Sequence, residues 1–236
     1  FAFGVGYDPN IRLLDKLAGD NHGRSDYVKP KEPIEAKVAS LCAKIKNPVM
    51  TDLTASIQGL RLKDMYPRHL DDLFDGDQIV LVGRYDADDV RKLTNDEAGI
   101  GQTTLVIKGR YEGNERAFEY PVTVNAGGGT RTYQFVEKLW AIRRVGWLLD
   151  EIQLRGKSQE VIDELIRLSR DYGIMTPYTS FLADERTPLG RPTALRALGK
   201  HAADDLAENT SGAAGQLGAM NRQALNMANS PSVAAA

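Results

Sequence analysis

Thr103-Thr104-Leu105-Val106-Ile107-Lys108-Gly109-Arg110-Tyr111 alternates in steps of two, so that Leu105, Ile107, Gly109 and Tyr111 share one face of an extended chain. Glu112-Gly113-Asn114 supplies turn chemistry, and a second alternating run from Arg116 to Val124 follows it. Two alternating runs about a short glycine-containing turn predict an antiparallel hairpin. The period of two extends upstream through Met50–Ile57, Leu60–Leu62 and Gln78–Tyr85, with turns at Ser56-Ile57-Gln58-Gly59 and Asp75-Gly76-Asp77. Residues 48–125 therefore read as an antiparallel β-sandwich, with Asp86–Gly101 as a long, acidic, exposed connection.

Upstream of this block the period is mixed. Phe1–Val5 is short and apolar, as a buried parallel strand is, and Gly6-Tyr7-Asp8-Pro9-Asn10 is a turn with Asn10 placed to cap a helix. Ile11, Leu14, Leu17 and Ala18 recur on one helical face. Asp26-Tyr27-Val28 is a second strand, and a helix from Pro33 carries Ile34, Val38, Leu41, Cys42 and Ile45 as its apolar stripe. The β-α-β-α order suits the end of a doubly wound α/β domain, but one pair of strands has too little surface to bury two helices. Together with the opening on Phe1, this predicts that residues 1–47 are the C-terminal part of a larger domain.

Downstream, Ala126-Gly127-Gly128-Gly129-Thr130 forms a joint. Two amphipathic helices follow, Tyr133–Leu154 and Gln159–Tyr172, linked by Gly156-Lys157-Ser158 as a helical hairpin. Gly173 sits where a left-handed residue ends a helix. Ile174–Leu182 is expected to add an edge strand, so the hairpin unit covers residues 131–182. Residues 183–236 turn to Ala, Gly, Asn, Ser and Pro and are expected to be a mostly disordered tail. The fold class expected is α+β.

Charge and composition narrow the function. With 236 residues and a formal net charge of -2, no strong field draws the chain to nucleic acid or anionic lipid. No apolar run approaches the ~20 residues that cross a bilayer. Cys42 is the sole cysteine and the three histidines are scattered, so no disulfide and no cysteine or histidine metal motif is expected. Cys42 itself reads as a small buried hydrophobe. Gly4-x-Gly6 has Pro9 where a dinucleotide loop needs its third glycine, so a tight turn is the simpler reading. The acidic run from Asp71 to Asp77 fails the calcium-loop pattern at Leu73 and Val82 and reads as a solvated turn. Trp140 and Trp147, seven residues apart, are expected in the core, and Arg143, Arg144 and Arg155 among Glu137, Asp150 and Glu151 read as a solvated face. No catalytic motif or catalytic residue is identified, and no metal ligand, so the chain is not expected to be an enzyme.

Phe1–Asn10, Leu13–Ala18 and Gly23–Val28 resemble the last strands of a von Willebrand factor type A domain. Pro48–Asp52, Met65-Tyr66-Pro67, Asp72-Leu73-Phe74, Leu81–Tyr85, Leu139-Trp140-Ala141 and Thr176–Phe181 are similar to the region after that domain in bacterial inter-alpha-trypsin inhibitor heavy-chain-like proteins. That resemblance implies an upstream VIT domain and an A domain whose Mg, Mn or Ca ion sits on an Asp-x-Ser-x-Ser loop, with a Thr and an Asp from later loops, all preceding Phe1. It also implies an envelope, periplasmic or secreted location and binding of protein or extracellular-matrix partners. Ligands of such sheets sit beyond the carboxyl ends of the strands, which places Tyr7 and Asp8 at the rim of that face. The chain is thus expected to be a non-catalytic adhesion or scaffold fragment that braces the A domain. The rival readings are a carbohydrate-binding sandwich and the C-terminal region of an enzyme whose catalytic domain lies upstream.

Overall fold

The computed structural model describes residues 2–6, 9–21, 23, 25–28, 32–45, 48–74, 76–94, 99–126, 134–156, 158–176 and 212–230. The chain divides into two compact units. The first joins Phe1–Leu17, Ser25–Pro30 and Glu137–Ala236; the second takes Ala18–Arg24 and Lys31–Val136. Helix and antiparallel strand are mixed, as the α+β expectation has it. The grouping differs from the expected serial order, because the first β-α-β segment clusters with the C-terminal helices.

In the first unit, β1 (Ala2–Val5) and β2 (Ser25–Val28) pair in parallel, Ala2 opposite Ser25 and Val5 opposite Val28. Between them runs α1 (Ile11–Asp20), whose last three residues belong to the second unit. Asn10 Oδ1 accepts the Leu13 N–H at 3.1 Å and caps α1 as its sequence position suggested. Ile11 and Tyr27 are buried together with Ala219, and Leu14 packs against them.

The second helix, α2 (Ile34–Ile45), lies in the second unit. Here the expectation of a buried stripe is corrected: Ile34, Val38 and Cys42 are exposed. An apolar stripe sets which face of a helix would be buried, and nothing among the described residues covers these three side chains.

Among the described residues, every strand pair of the second unit is antiparallel. β3 (Pro48–Ile57), β5 (Leu73–Phe74), β7 (Ile100–Tyr111) and β8 (Asn114–Asn125) form one sheet in the order β5-β3-β7-β8, and β4 (Leu62–Tyr66) pairs with β6 (Val82–Tyr85). The hairpin between β7 and β8 closes on Glu112 (φ 49°) and Gly113 (φ 79°), the two left-handed residues of a type I′ turn. β3 bulges where its register on β7 shifts between Thr51 and Thr54, with Asp52 at φ 52°.

The supposed acidic loop is also corrected. It contains α3 (Ala87–Leu93), whose Val90 is buried with Leu60 and Val124 while Ile57 and Ala126 pack alongside. Asp89 accepts Arg61 Nε and a second guanidinium nitrogen at 3.1 Å each, which holds its carboxyl below the usual range. α3 therefore covers one end of the sheet face that bears Val124. Toward the turn, the same face of β8 is left exposed at Phe118 and Tyr120. A sandwich closed over the whole sheet is not what the described residues form.

α4 (Gln134–Arg155) and α5 (Gln159–Tyr172) follow, and Gly173 at φ 63° ends α5 with Ile174 N–H bonded to the Ser169 carbonyl at 2.8 Å. Ile142, Val145, Leu148 and Leu165 are fully buried. The expected edge strand at Ile174–Leu182 falls mostly outside the described residues. The tail expectation is corrected for its described part: α6 (Gly212–Asn226) is a helix, with Ala219, Leu225 and the following Ala228 buried in the first unit. Among the described residues no helix is long and apolar enough to cross a membrane.

Candidate functional site

Tyr7 and Asp8, proposed from sequence as the rim of a ligand face, lie outside the described residues. What the first unit does bring together is a polar cluster around α1, β2, α4 and α6. Asp15 on α1 accepts the hydroxyls of both Ser25 and Tyr27 on β2. The phenol also lies 3.3 Å from the Ile11 carbonyl. Burial, then the hydrogen bond to Asp15, pushes the Tyr27 pKa well above the usual phenol range. A hydroxyl held so firmly in its protonated form is a poor base and a poor nucleophile. The Asp15–Ser25–Tyr27 group is a tie between α1 and β2.

α6 docks through side chains far away in sequence. Gln223 Nε2 donates to the Ser25 carbonyl at 3.1 Å, Arg222 Nε donates to Asp150 at 3.2 Å, and Asn226 Nδ2 donates to the other Asp150 oxygen. Arg143, 4% exposed, donates from Nε to the Ala228 carbonyl at 2.8 Å, and burial lowers its pKa. Arg143 was read as part of a solvated face; the residues after α6 cover it. Its neighbour Arg144 forks onto Glu164 with two bonds of 2.8 Å and sits 4.8 Å over the Trp147 ring. Trp140 is buried as expected and Trp147 half-buried.

Asp150 is the charged centre of the clasp. Burial raises its pKa, with the Arg222 charge and the Asn226 bond acting the other way. Some 37% of its side chain stays accessible, so water relieves part of that penalty. A raised carboxyl pKa means that the folded state holds the proton more tightly than the unfolded chain. This contribution is complete below the ordinary aspartate value of about 3.9 and is lost as pH rises through the elevated one. We expect Asp150→Asn to remove that fall. Denaturant midpoints followed between pH 4 and 7 should decline less steeply for the variant, and unchanged slopes would show that Asp150 does not titrate in this window.

In the second unit, Asp72 Oδ1 accepts the Asp52 N–H at 3.2 Å, and Asp77 N–H bonds to the Phe74 carbonyl at 3.0 Å. Within the acidic run Leu73 and Phe74 pair with β3 as β5, and the Asp77 bond closes a turn behind them, so the expected solvated turn covers only part of the run. Among the described residues no group of three or more His, Cys, Asp or Glu could hold a metal ion.

Sequence reasoning missed Asp15, Ser25, Arg222 and Asn226, and read Asp150 as part of a solvated face. Their partners lie up to 198 residues away, so no local spacing announced them.

No protein-family model matches the chain. Among curated proteins it is 22% identical over 191 residues to human inter-alpha-trypsin inhibitor heavy chain H2, covering 78% of this chain and 19% of that protein. It is 23% identical over 190 residues to bovine heavy chain H3 and 23% over 187 residues to human heavy chain H4, each match covering 77% of this chain. The chain spans about a fifth of the length of these relatives. Among solved structures, the ArnB paralog VWA2 from Sulfolobus acidocaldarius aligns over 89% of this chain and 54% of its own at 13% identity, with a TM-score of 0.32. A score that low carries no argument. The sequence matches alone support the conclusion that the chain is similar to the inter-alpha-trypsin inhibitor heavy chains over roughly three-quarters of its length.

Proposed function

We propose that the chain is a non-catalytic, protein-binding piece of an envelope, periplasmic or secreted adhesion or scaffold protein. It braces a metal-dependent A domain whose ion site lies upstream of Phe1. The observation that carries this reading is the similarity to the heavy chains across 78% of the chain but only 19% of the relative. Partners would be proteins or extracellular-matrix components engaged through the A domain, with Mg, Mn or Ca as its ion. The Asp15 tie and the α6 clasp suit a bracing role, because they fasten β2 to α1 and α6 of the first unit.

A carbohydrate-binding module is disfavoured by where the tryptophans sit. Sugar stacking needs open aromatic faces, and Trp140 is buried while Arg144 lies over Trp147.

Melting curves test the reading. Millimolar magnesium should leave the unfolding temperature of these 236 residues unchanged and raise that of the longer protein carrying the A domain. Stabilisation of the 236-residue chain alone would place an ion site here and defeat the proposal.

A further inference from the structure

The outer edge of β8 is a long stretch of backbone with no strand beside it among the described residues. The type I′ turn decides which of its groups point outward. Tyr111 and Asn114 close the hairpin as a hydrogen-bonded pair, so Arg116, Phe118 and Tyr120 bond inward to Gly109, Ile107 and Leu105. Glu115, Ala117, Glu119, Pro121 and Thr123 then turn their backbone groups away from β7. Pro121 has no N–H to offer, and the Asn125 carbonyl already accepts Tyr85 Oη at 3.0 Å. The available edge is therefore Glu115–Thr123. It borders an apolar face on which Phe118 is 42% exposed and Tyr120 48%.

We propose that this edge pairs with the same edge of a second copy of the chain, antiparallel, about a two-fold axis at Phe118. Charge selects the register. An axis at Ala117 would set Glu115 against Glu119, and an axis at Glu119 would set that carboxylate against itself, both unfavourable for directly opposed residues. An axis at Tyr120 would press Glu115 onto the Asn125 carbonyl that Tyr85 occupies. With the axis at Phe118, Ala117 and Glu119 of the two copies exchange N–H and C=O in both directions. The Glu115 N–H meets the Pro121 carbonyl, the one group Pro121 can offer. On the apolar face Phe118 meets Phe118, and Arg116 meets Tyr120, an aromatic–aromatic and a cation–aromatic pair. Pro121 and the glutamates thus act as edge residues commonly do, excluding alternative pairings and leaving one. A single strand edge is smaller than the ~1,200 Å² of a standard interface, so the dimer is weak and depends on concentration.

Cross-linking and sedimentation test this. At the axis the two Phe118 positions form a non-hydrogen-bonded pair with Cα atoms about 4.5 Å apart, within disulfide range. In a Cys42→Ser background, Phe118→Cys should oxidise to a covalent dimer, whereas Ala117→Cys, which faces Glu119, should stay monomeric. Ala117→Pro removes an outward N–H without touching the β7 ladder and should weaken self-association by about tenfold in sedimentation equilibrium. This measurement also covers the case in which the cysteine variants fail to fold. A protein that stays monomeric at high concentration, a dimer indifferent to Ala117→Pro, or cross-linking at 117 rather than 118 would overturn the proposal.

Discussion

Leu165→Ala is expected to destabilise the first unit by about 3 kcal/mol, the middle of the range for emptying a buried leucine site. Leu165 is completely buried on α5, as are Ile142 and Val145 on α4. The loss has two parts: the transfer energy of the deleted methyl groups, and the cavity that a close-packed interior only partly closes. Leu154→Ala, at a residue 50% exposed in the last turn of α4, is the control and should change stability by less than about 0.5 kcal/mol. Since the chain has two units, a global signal would mix two transitions. Trp140 and Trp147, the only tryptophans, both lie on α4, so their fluorescence reports the first unit alone. The Leu165 variant should lose about 1–2 M in urea midpoint by that probe. Equal midpoints for the two variants would mean that α5 does not close this core.

How much of this architecture the sequence discloses depends on how local the cause is. Glu112-Gly113 and Gly173 need left-handed backbone, Asn10 offers a capping oxygen, and alternation sets the β7–β8 register; each signal sits within a few residues of its effect. α3 is hidden because a seven-residue helix with one fully buried apolar residue, Val90, has too little periodicity to outweigh the five acids of residues 86–101. Its placement depends on the Asp89–Arg61 fork, whose partners are 28 residues apart. Cys42 was misplaced for the opposite reason: a true apolar stripe says which face would be buried, not whether anything covers it. α6 escapes because Gly212, Gly215 and Gly218 lower its helix propensity, and its order comes from docking. The candidate rim at Tyr7 and Asp8 rests on resemblance, and both residues lie outside the described ones.

Gly146→Val is expected to release α6. A Cβ at Gly146 would stand 2.5 Å from Asn226 Oδ1 and 3.0 Å from the Asn226 backbone nitrogen. The amide oxygen could rotate away, but Asn226 is committed to Asp150 and the backbone nitrogen cannot move without the helix. In an open helix, replacing glycine by alanine would gain roughly 1 kcal/mol, while overpacking a filled contact costs about 1–3 kcal/mol. Valine has less helix propensity than alanine and adds two further methyl groups, so the clash prevails. Once α6 leaves, the Arg222–Asp150 pair, the Asn226 bond to Asp150, the Gln223 bond to Ser25 and the Ala228 carbonyl over Arg143 are lost together, because all four tethers rest on one short segment. Hydrogen exchange across residues 213–227 should then rise to the rate of an unprotected chain, and trypsin should cut after Arg222 in the variant well before it does so in the parent. Gly146→Ala combined with Asn226→Ala removes the side-chain part of the clash and should recover much of the protection if contact is the cause. Protection of Arg222 that survives Gly146→Val would mean α6 is held by its own stability, which three glycines in fifteen residues make hard to supply.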